Sequence, residues 1–112
     1  MIDVIICTYN SEKTINSCIK SILNQTYPHF NLYVFDDNSS DNTVEEILEF
    51  KDKRITVIKS ATNIGTYAGK NFVYKNFSNS PYVALHDSDD ISLPLRLELQ
   101  LNYMVQYNVK CL

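Results

Sequence analysis

The sequence has no tryptophan, two glycines and three prolines among 112 residues. So little glycine and proline excludes a collagen-like repeat and a flexible low-complexity chain. Another residue has to supply the turns, and asparagine, present 12 times, tolerates the positive φ that glycine usually provides. A basic excess is also missing. Ten Lys and Arg face 13 Asp and Glu for a net charge of −3, which argues against a general nucleic-acid binder, whose affinity comes from neutralising phosphates. No apolar run approaches the ~20 residues of a membrane-spanning helix. The opening MIDVIICTYN has an acid at Asp3 and no basic n-region, so no signal peptide is expected. No two of the three cysteines form a CxxC pair. Cys7, Cys18 and Cys111 are read as reduced thiols in a reducing compartment, and neither His29 nor His86 is spaced with them as a zinc site. The N-x-S/T matches at Asn24, Asn38 and Asn76 follow from asparagine abundance and are not read as glycosylation sites. The expected location is cytoplasmic, with membrane association left open.

What is present fits one globular domain. The chain is 45% apolar and 21% charged, and a chain of this length buries roughly two thirds of its unfolded surface around one modest core. Residues 2–7 are an almost continuous apolar run, the mark of a strand covered on both faces. Ile15, Cys18, Ile19, Ile22 and Leu23 share one helix face, with Asn10 or Ser11 as cap and Tyr27-Pro28 as stop. Strands are predicted at 31–36, 55–59 and 82–86, and helices around Val44–Leu48 and over 67–77. The leucine-rich segment after Pro94 alternates like a strand but also fits a helical stripe of Leu97, Leu101, Met104 and Val105; its length and its Arg, Glu and Gln content favour helix. Val109–Leu112 reads as the start of another strand. Alternating strands and helices predict βαβ crossovers: an α/β fold with a mostly parallel sheet and helices on both faces. In such sheets ligands bind beyond the carboxyl ends of the strands, at the switch in strand order.

That rule directs attention to Thr8-Tyr9-Asn10, to Asp36-Asp37-Asn38-Ser39-Ser40-Asp41 and to Asp87-Ser88-Asp89-Asp90. Carboxylates crowded on one edge repel unless a cation or hydrogen-bond donors sit among them. Hard oxygen ligands suit Mg²⁺ or Mn²⁺, which commonly bridge a carboxylate pair and a diphosphate. Asp87 and Asp89, two apart, are the strongest metal-ligand pair. Plainer roles compete elsewhere: Asp90 and Asp41 as helix caps, Asp36 as a turn stabiliser, Tyr9 as a rim aromatic, and Lys70 as a solvated helix charge.

The segment VIICTYNSEKTINSCIKSILNQTYPHFNLYVFDDNSSDNT resembles the opening of family 2 glycosyltransferases, which have the GT-A fold. TNIGTYAGKN resembles their N-x-G-x-x-x-A-R-N segment, and LHDSDD their D-x-D-D metal loop. Four elements in order, from Ile2 to about Met104, make the resemblance specific. It implies the Rossmann-like nucleotide-binding half of a GT-A domain, with strand order 3-2-1-4. It implies transfer of a sugar from a nucleotide sugar, UDP-linked, to an acceptor hydroxyl with inversion, in polysaccharide biosynthesis. By the same resemblance Tyr9 lies against the base and Asp37 accepts from a uracil-type base, with Asp36 beside it in the turn. Ser39 and Asp41 match the turn and the helix cap. Lys70 is the basic residue near base and phosphates. Asp87 and Asp89 touch ribose and a Mn²⁺ or Mg²⁺ ion, and Thr8 and Ser88 complete the nucleotide-binding set.

Four departures stand out. Asn38 replaces a usual glycine, which its tolerance of the left-handed region permits. Lys70 replaces arginine and loses its planar fork. Gly69 replaces alanine, and Cys7 replaces a common proline. The family's general base and acceptor pocket come later in its sequences, so they are expected beyond Leu112. Residues 1–112 are then one truncated nucleotide-sugar-binding domain that binds donor without transferring sugar. The acceptor stays open among saccharide, lipid and protein, and an open sheet edge would favour a homodimer. Two rivals are a nucleotidyltransferase, against which the glycine-free CTYNSEK speaks, and a non-catalytic nucleotide-binding or dimerisation module.

Overall fold

The computed structural model describes residues 1–109. Eight elements alternate: β1 (Ile2–Thr8), α1 (Ile15–Leu23), β2 (Phe30–Asp36), α2 (Thr43–Leu48), β3 (Ile55–Lys59), α3 (Thr66–Asn76), β4 (Tyr82–Asp87) and α4 (Arg96–Tyr107). The ambiguous leucine-rich segment is the helix α4. Cys111 and all of the expected last strand except Val109 lie outside the described residues.

The strands form one sheet in the order β3-β2-β1-β4, and every pair is parallel. The α/β fold with strand order 3-2-1-4 is therefore present as expected. Thr8 pairs with Asp36, Cys7 with Asp87 and Asp36 with Lys59, so all four strands end on one edge. The chain steps from β1 through β2 to β3 on one side of β1, then crosses to place β4 on the other. The switch point thus lies between β1 and β4.

Burial follows from that order. All seven residues of β1 are buried, because it has a strand on each side and helices on each face. One face carries Val4, Ile6, Leu32 and Val34 against Ile15, Ile19 and Ile22 of α1, Ile47 of α2 and Leu97 of α4. The other face carries Ile5, Cys7 and Phe35 against Val73 of α3. α3 approaches closely because residue 69 has no side chain. A Cβ there would sit 2.7 Å from the Phe35 ring and 2.9 Å from Cys7 Sγ. The departures at positions 7 and 69 are therefore one packing solution, since the Cys7 sulfur and Phe35 ring fill the space of the alanine methyl.

Asparagine does take over glycine's work. Asn10, Asn38 and Asn108 have φ of 47°, 62° and 52°, beside Gly65 at 90°. Two expected caps are corrected. α1 begins at Ile15 after Thr14, and no side chain caps it. The Ser11 carbonyl accepts the amides of Thr14 and Ile15, whereas the left-handed Asn10 is turned towards the loop after β2. Asp90 does not cap α4, which starts six residues later at Arg96. There Gln25, just past the end of α1, donates to Leu93 O at 2.7 Å and accepts the Leu97 amide at 3.0 Å. At the opposite edge of the sheet the buried Asp3 carboxylate accepts from Asn31, Ser78, Asn79 and Ser80. Burial pushes that carboxyl up, but the hydrogen bonds outweigh it and hold it below the usual range.

Candidate functional site

The loops after β1 and β2 are cross-linked by short polar side chains. Ser39 Oγ accepts the Asn10 amide at 2.9 Å, and Asn10 Oδ1 accepts the Ser40 amide at 2.8 Å. Thr43 Oγ1 accepts the Ser11 amide at 2.8 Å, and the Asp41 carboxylate accepts the Thr43 amide at 3.0 Å. Asp41 therefore serves the start of α2 from one residue before its N-cap. Tyr9 projects from this frame with half of its surface exposed. Thr8 is buried. Its carbonyl accepts the Asp37 amide at 2.8 Å, and its hydroxyl has no partner among the described residues.

The two acids after β2 are buried and engaged. Asp36 accepts from the Ser39 amide at 3.0 Å and from Ser39 Oγ at 2.6 Å, which closes the turn through Asn38. Asp37, 5% exposed, accepts the amides of Ile64 at 2.7 Å and Gly65 at 3.0 Å. It thereby fixes the loop that leads into α3. A carboxylate has about four lone-pair directions, so each retains capacity for further donors.

The acids after β4 are arranged oppositely. Asp87, Asp89 and Asp90 are exposed, and their carboxylates each offer an oxygen within 4.8 Å of the others. Lys70, at a 16% exposed side chain on α3, donates to Asp87 Oδ1 at 3.0 Å. That hydrogen bond and the ammonium charge hold the Asp87 carboxyl below its ordinary range. It is the one ion pair to this loop among the described residues. Ser88 Oγ lies 3.0 Å from Ser11 Oγ and joins the loop to the one after β1. Three like charges at this spacing are repulsive, and an oxygen-only donor set fits a hard divalent cation. The sequence points to Asp87 and Asp89, and the geometry adds Asp90.

Beneath the loop lies the buried ring of His86, which burial holds neutral by pushing its pKa down. Cys18 and Cys7 are free, buried thiols. Burial, with the loop acids adding to it, pushes Cys18 up to about 12; burial and Asp37 push Cys7 to about 11. Neither is a nucleophile at neutral pH. A cleft of about 960 Å³ opens beside the acidic loop, lined by Lys70, Asp87, Asp90, Leu93, Arg96 and Leu99 among others. Among the described residues no helix is long and apolar enough to cross a membrane.

Sequence reasoning missed the supports: Asn10 as a bridge between loops, Gln25, His86, Ser92 and Arg96. A signal existed for two of them. His86 is a polar residue ending an apolar strand, and Gln25 closes an apolar helix face where a solvated residue would be expected.

Comparison with known proteins agrees with this architecture. An Escherichia coli protein named UDP-Glc:alpha-D-GlcNAc-diphosphoundecaprenol beta-1,3-glucosyltransferase WfgD is 38% identical over 97% of this chain and 43% of its own length. An uncharacterized glycosyltransferase of Methanocaldococcus jannaschii is 41% identical over 93% of this chain and 37% of its own. The crystal structure of S. aureus TarS 1-349 in complex with UDP-GlcNAc superposes with a TM-score of 0.89 at 29% identity, covering 96% of this chain and 32% of that one. The chain thus spans less than half the length of these relatives. The profile of Glycosyl transferase family 2 matches residues 3–112, and the chain belongs to that family of GT-A-fold glycosyltransferases.

Proposed function

We propose that this chain forms the donor site of an inverting glycosyltransferase that moves a sugar from a UDP-sugar to an acceptor hydroxyl in polysaccharide biosynthesis. The observation that carries the reading is the convergence of Asp87, Asp89 and Asp90 beside Lys70, on the same sheet edge as Tyr9 and Asp37. The names of the E. coli relative and of the TarS complex, which refer to UDP-Glc and UDP-GlcNAc, support a UDP-linked donor.

Each residue has a role that its surroundings allow. The exposed Tyr9 ring offers a face to the base. The remaining lone pairs of Asp37 accept a ring N–H, which uracil presents. Asp36 holds the turn that carries Asp37, and Thr8 places it through its carbonyl. Asp87 and Ser88 face the ribose and phosphate side. Asp87, Asp89 and Asp90 would hold Mn²⁺ or Mg²⁺, which when bound supplies Lewis-acid stabilisation of the departing diphosphate. Lys70 already neutralises Asp87 and can serve the diphosphate from the same position. The β4 edge is unpaired among the described residues, and pairing of two copies there is the oligomeric reading, which sedimentation tests.

Calorimetric titration with UDP, first with Mn²⁺ and then with EDTA, is the test. Tighter binding with Mn²⁺, and tighter binding of UDP than of ADP, are expected. Equal affinity under all these conditions would remove both the cation and the base preference.

A further inference from the structure

We infer that His86 is the positioning residue that sets the geometry of the acidic loop, acting through the carbonyl of Asp87 and the hydroxyl of Ser92. The inference rests on the donor-site reading above and concerns a residue outside the proposed nucleotide and cation contacts.

Asp87 and Asp90 face each other across a tight turn in which the Asp90 amide donates to the Asp87 carbonyl at 3.2 Å. The spacing of the outer carboxylates therefore depends on where that single carbonyl oxygen is held. His86 Nδ1 lies 2.8 Å from it, and Cys18 Sγ donates to it at 3.4 Å from α1. The far ring nitrogen, Nε2, lies 2.7 Å from Ser92 Oγ, where the loop ends. One buried ring thus spans the loop from its first residue to its exit.

The donors and acceptors have one consistent assignment. A carbonyl only accepts, so His86 Nδ1 carries the proton, and in the neutral ring Nε2 must accept. Ser92 then donates its hydroxyl hydrogen to Nε2, while its oxygen accepts from Arg96 Nη1 at 3.1 Å. Arg96 also donates to Leu85 O at 3.2 Å, and the Ser92 amide donates to Ser21 Oγ at 3.0 Å. The relay runs from Arg96 through Ser92 and His86 to Asp87, and it is anchored to β4, α1 and α4. Such a chain has direction, because reversing the ring tautomer would leave two acceptors facing each other at Asp87. The arrangement is comparable to the outer hydrogen bonds that orient metal ligands, where loss of a partner typically weakens the metal about 10–100-fold.

The test uses the whole chain with Mn²⁺ and UDP as probes. His86→Leu fills similar space and donates nothing, so Mn²⁺ affinity, read by electron paramagnetic resonance with UDP present, should fall about 10-fold or more. UDP binding in EDTA should not change, a readout that general unfolding would move. His86→Asn restores a donor near the Nδ1 position and should recover most of the affinity. In the wild-type chain the ring ¹⁵N shifts should report the Nδ1–H tautomer. Should His86→Leu not fold, Ser92→Ala decides, with a several-fold loss of Mn²⁺ affinity expected. Wild-type Mn²⁺ affinity in folded His86→Leu or in Ser92→Ala, or an Nε2–H tautomer, overturns this inference and leaves the donor-site reading standing. Absence of any Mn²⁺ effect in the wild-type chain overturns both.

Discussion

Two acidic loops lie on one edge of the same sheet and are built in opposite ways. After β2, Asp36 and Asp37 are buried, and their oxygens are taken up by the amides of Ser39, Ile64 and Gly65. After β4, Asp87, Asp89 and Asp90 are exposed, and one lysine, Lys70, pairs with Asp87. The difference follows from the strand order. β2 lies between β1 and β3 and is covered by helices, so a charge at its end must be satisfied by the protein itself. Among the described residues β4 has one neighbour, and His86 is its one buried residue. Its acids stay exposed, and of the three Asp87 alone has an ion-pair partner among the described residues. The first loop uses its carboxylates to build structure, and the second leaves them exposed, as the proposed donor site requires.

Substitutions can break this contrast. The largest effect is expected at Asp89: Asp89→Ala should abolish the whole Mn²⁺-dependent gain in UDP affinity while leaving the melting temperature nearly unchanged, because an exposed side chain typically contributes within about 0.5 kcal/mol. Calorimetry and thermal melting on one sample check both halves. Asp37→Ala should do the reverse. It strands the amides of Ile64 and Gly65, each worth about 1–3 kcal/mol when left unpaired. Melting lowered by several degrees, with loss of the preference for UDP over ADP, is the expected result; an unchanged melting temperature would remove Asp37 from the frame.

Smaller effects sharpen the same point. Gly69→Ala should cost about 1–3 kcal/mol by driving a methyl into Phe35 and Cys7, and adding Phe35→Leu should recover part of it. The folded Asp3 carboxyl lies below its ordinary value, so its contribution is complete above about pH 4 and is lost as pH falls through the folded value. Melting followed from pH 6 downwards should decline less steeply in Asp3→Asn. The smallest change is predicted for Asp90→Ala. With no cap to lose, its stability should match wild type, and Mn²⁺ affinity should weaken less than in Asp89→Ala.

Most of the scaffold was legible along the chain. The unbroken apolar run of β1, the helical stripe of α1 and the leucine stripe of α4 each report a local period, and local periods determine elements. The strand-end rule then located the acids without any side-chain geometry. What escaped was long-range. Gln25 bonds to residues 68 and 72 positions away, and His86 owes its meaning to Ser92, Arg96 and Cys18 together. Asp90 was misread as a cap for a related reason. Spacing alone does not show that α4 begins six residues further on, with the Leu97 amide served by a glutamine from the loop after α1.

The central position of β1 has a consequence for synthesis on the ribosome. Ile2 meets Phe30 early, but its other neighbour is Tyr82. At roughly 5–20 residues per second, the about 50 residues between them take several seconds to emerge. Throughout that interval the most apolar strand of the protein offers one unpaired side to its surroundings, before the strand that carries the acidic loop exists to close it. β1 precedes β2, β3 and β4 in the chain and yet has both of its neighbours only once β4 has emerged, so the nascent chain is at its most adhesive between the two.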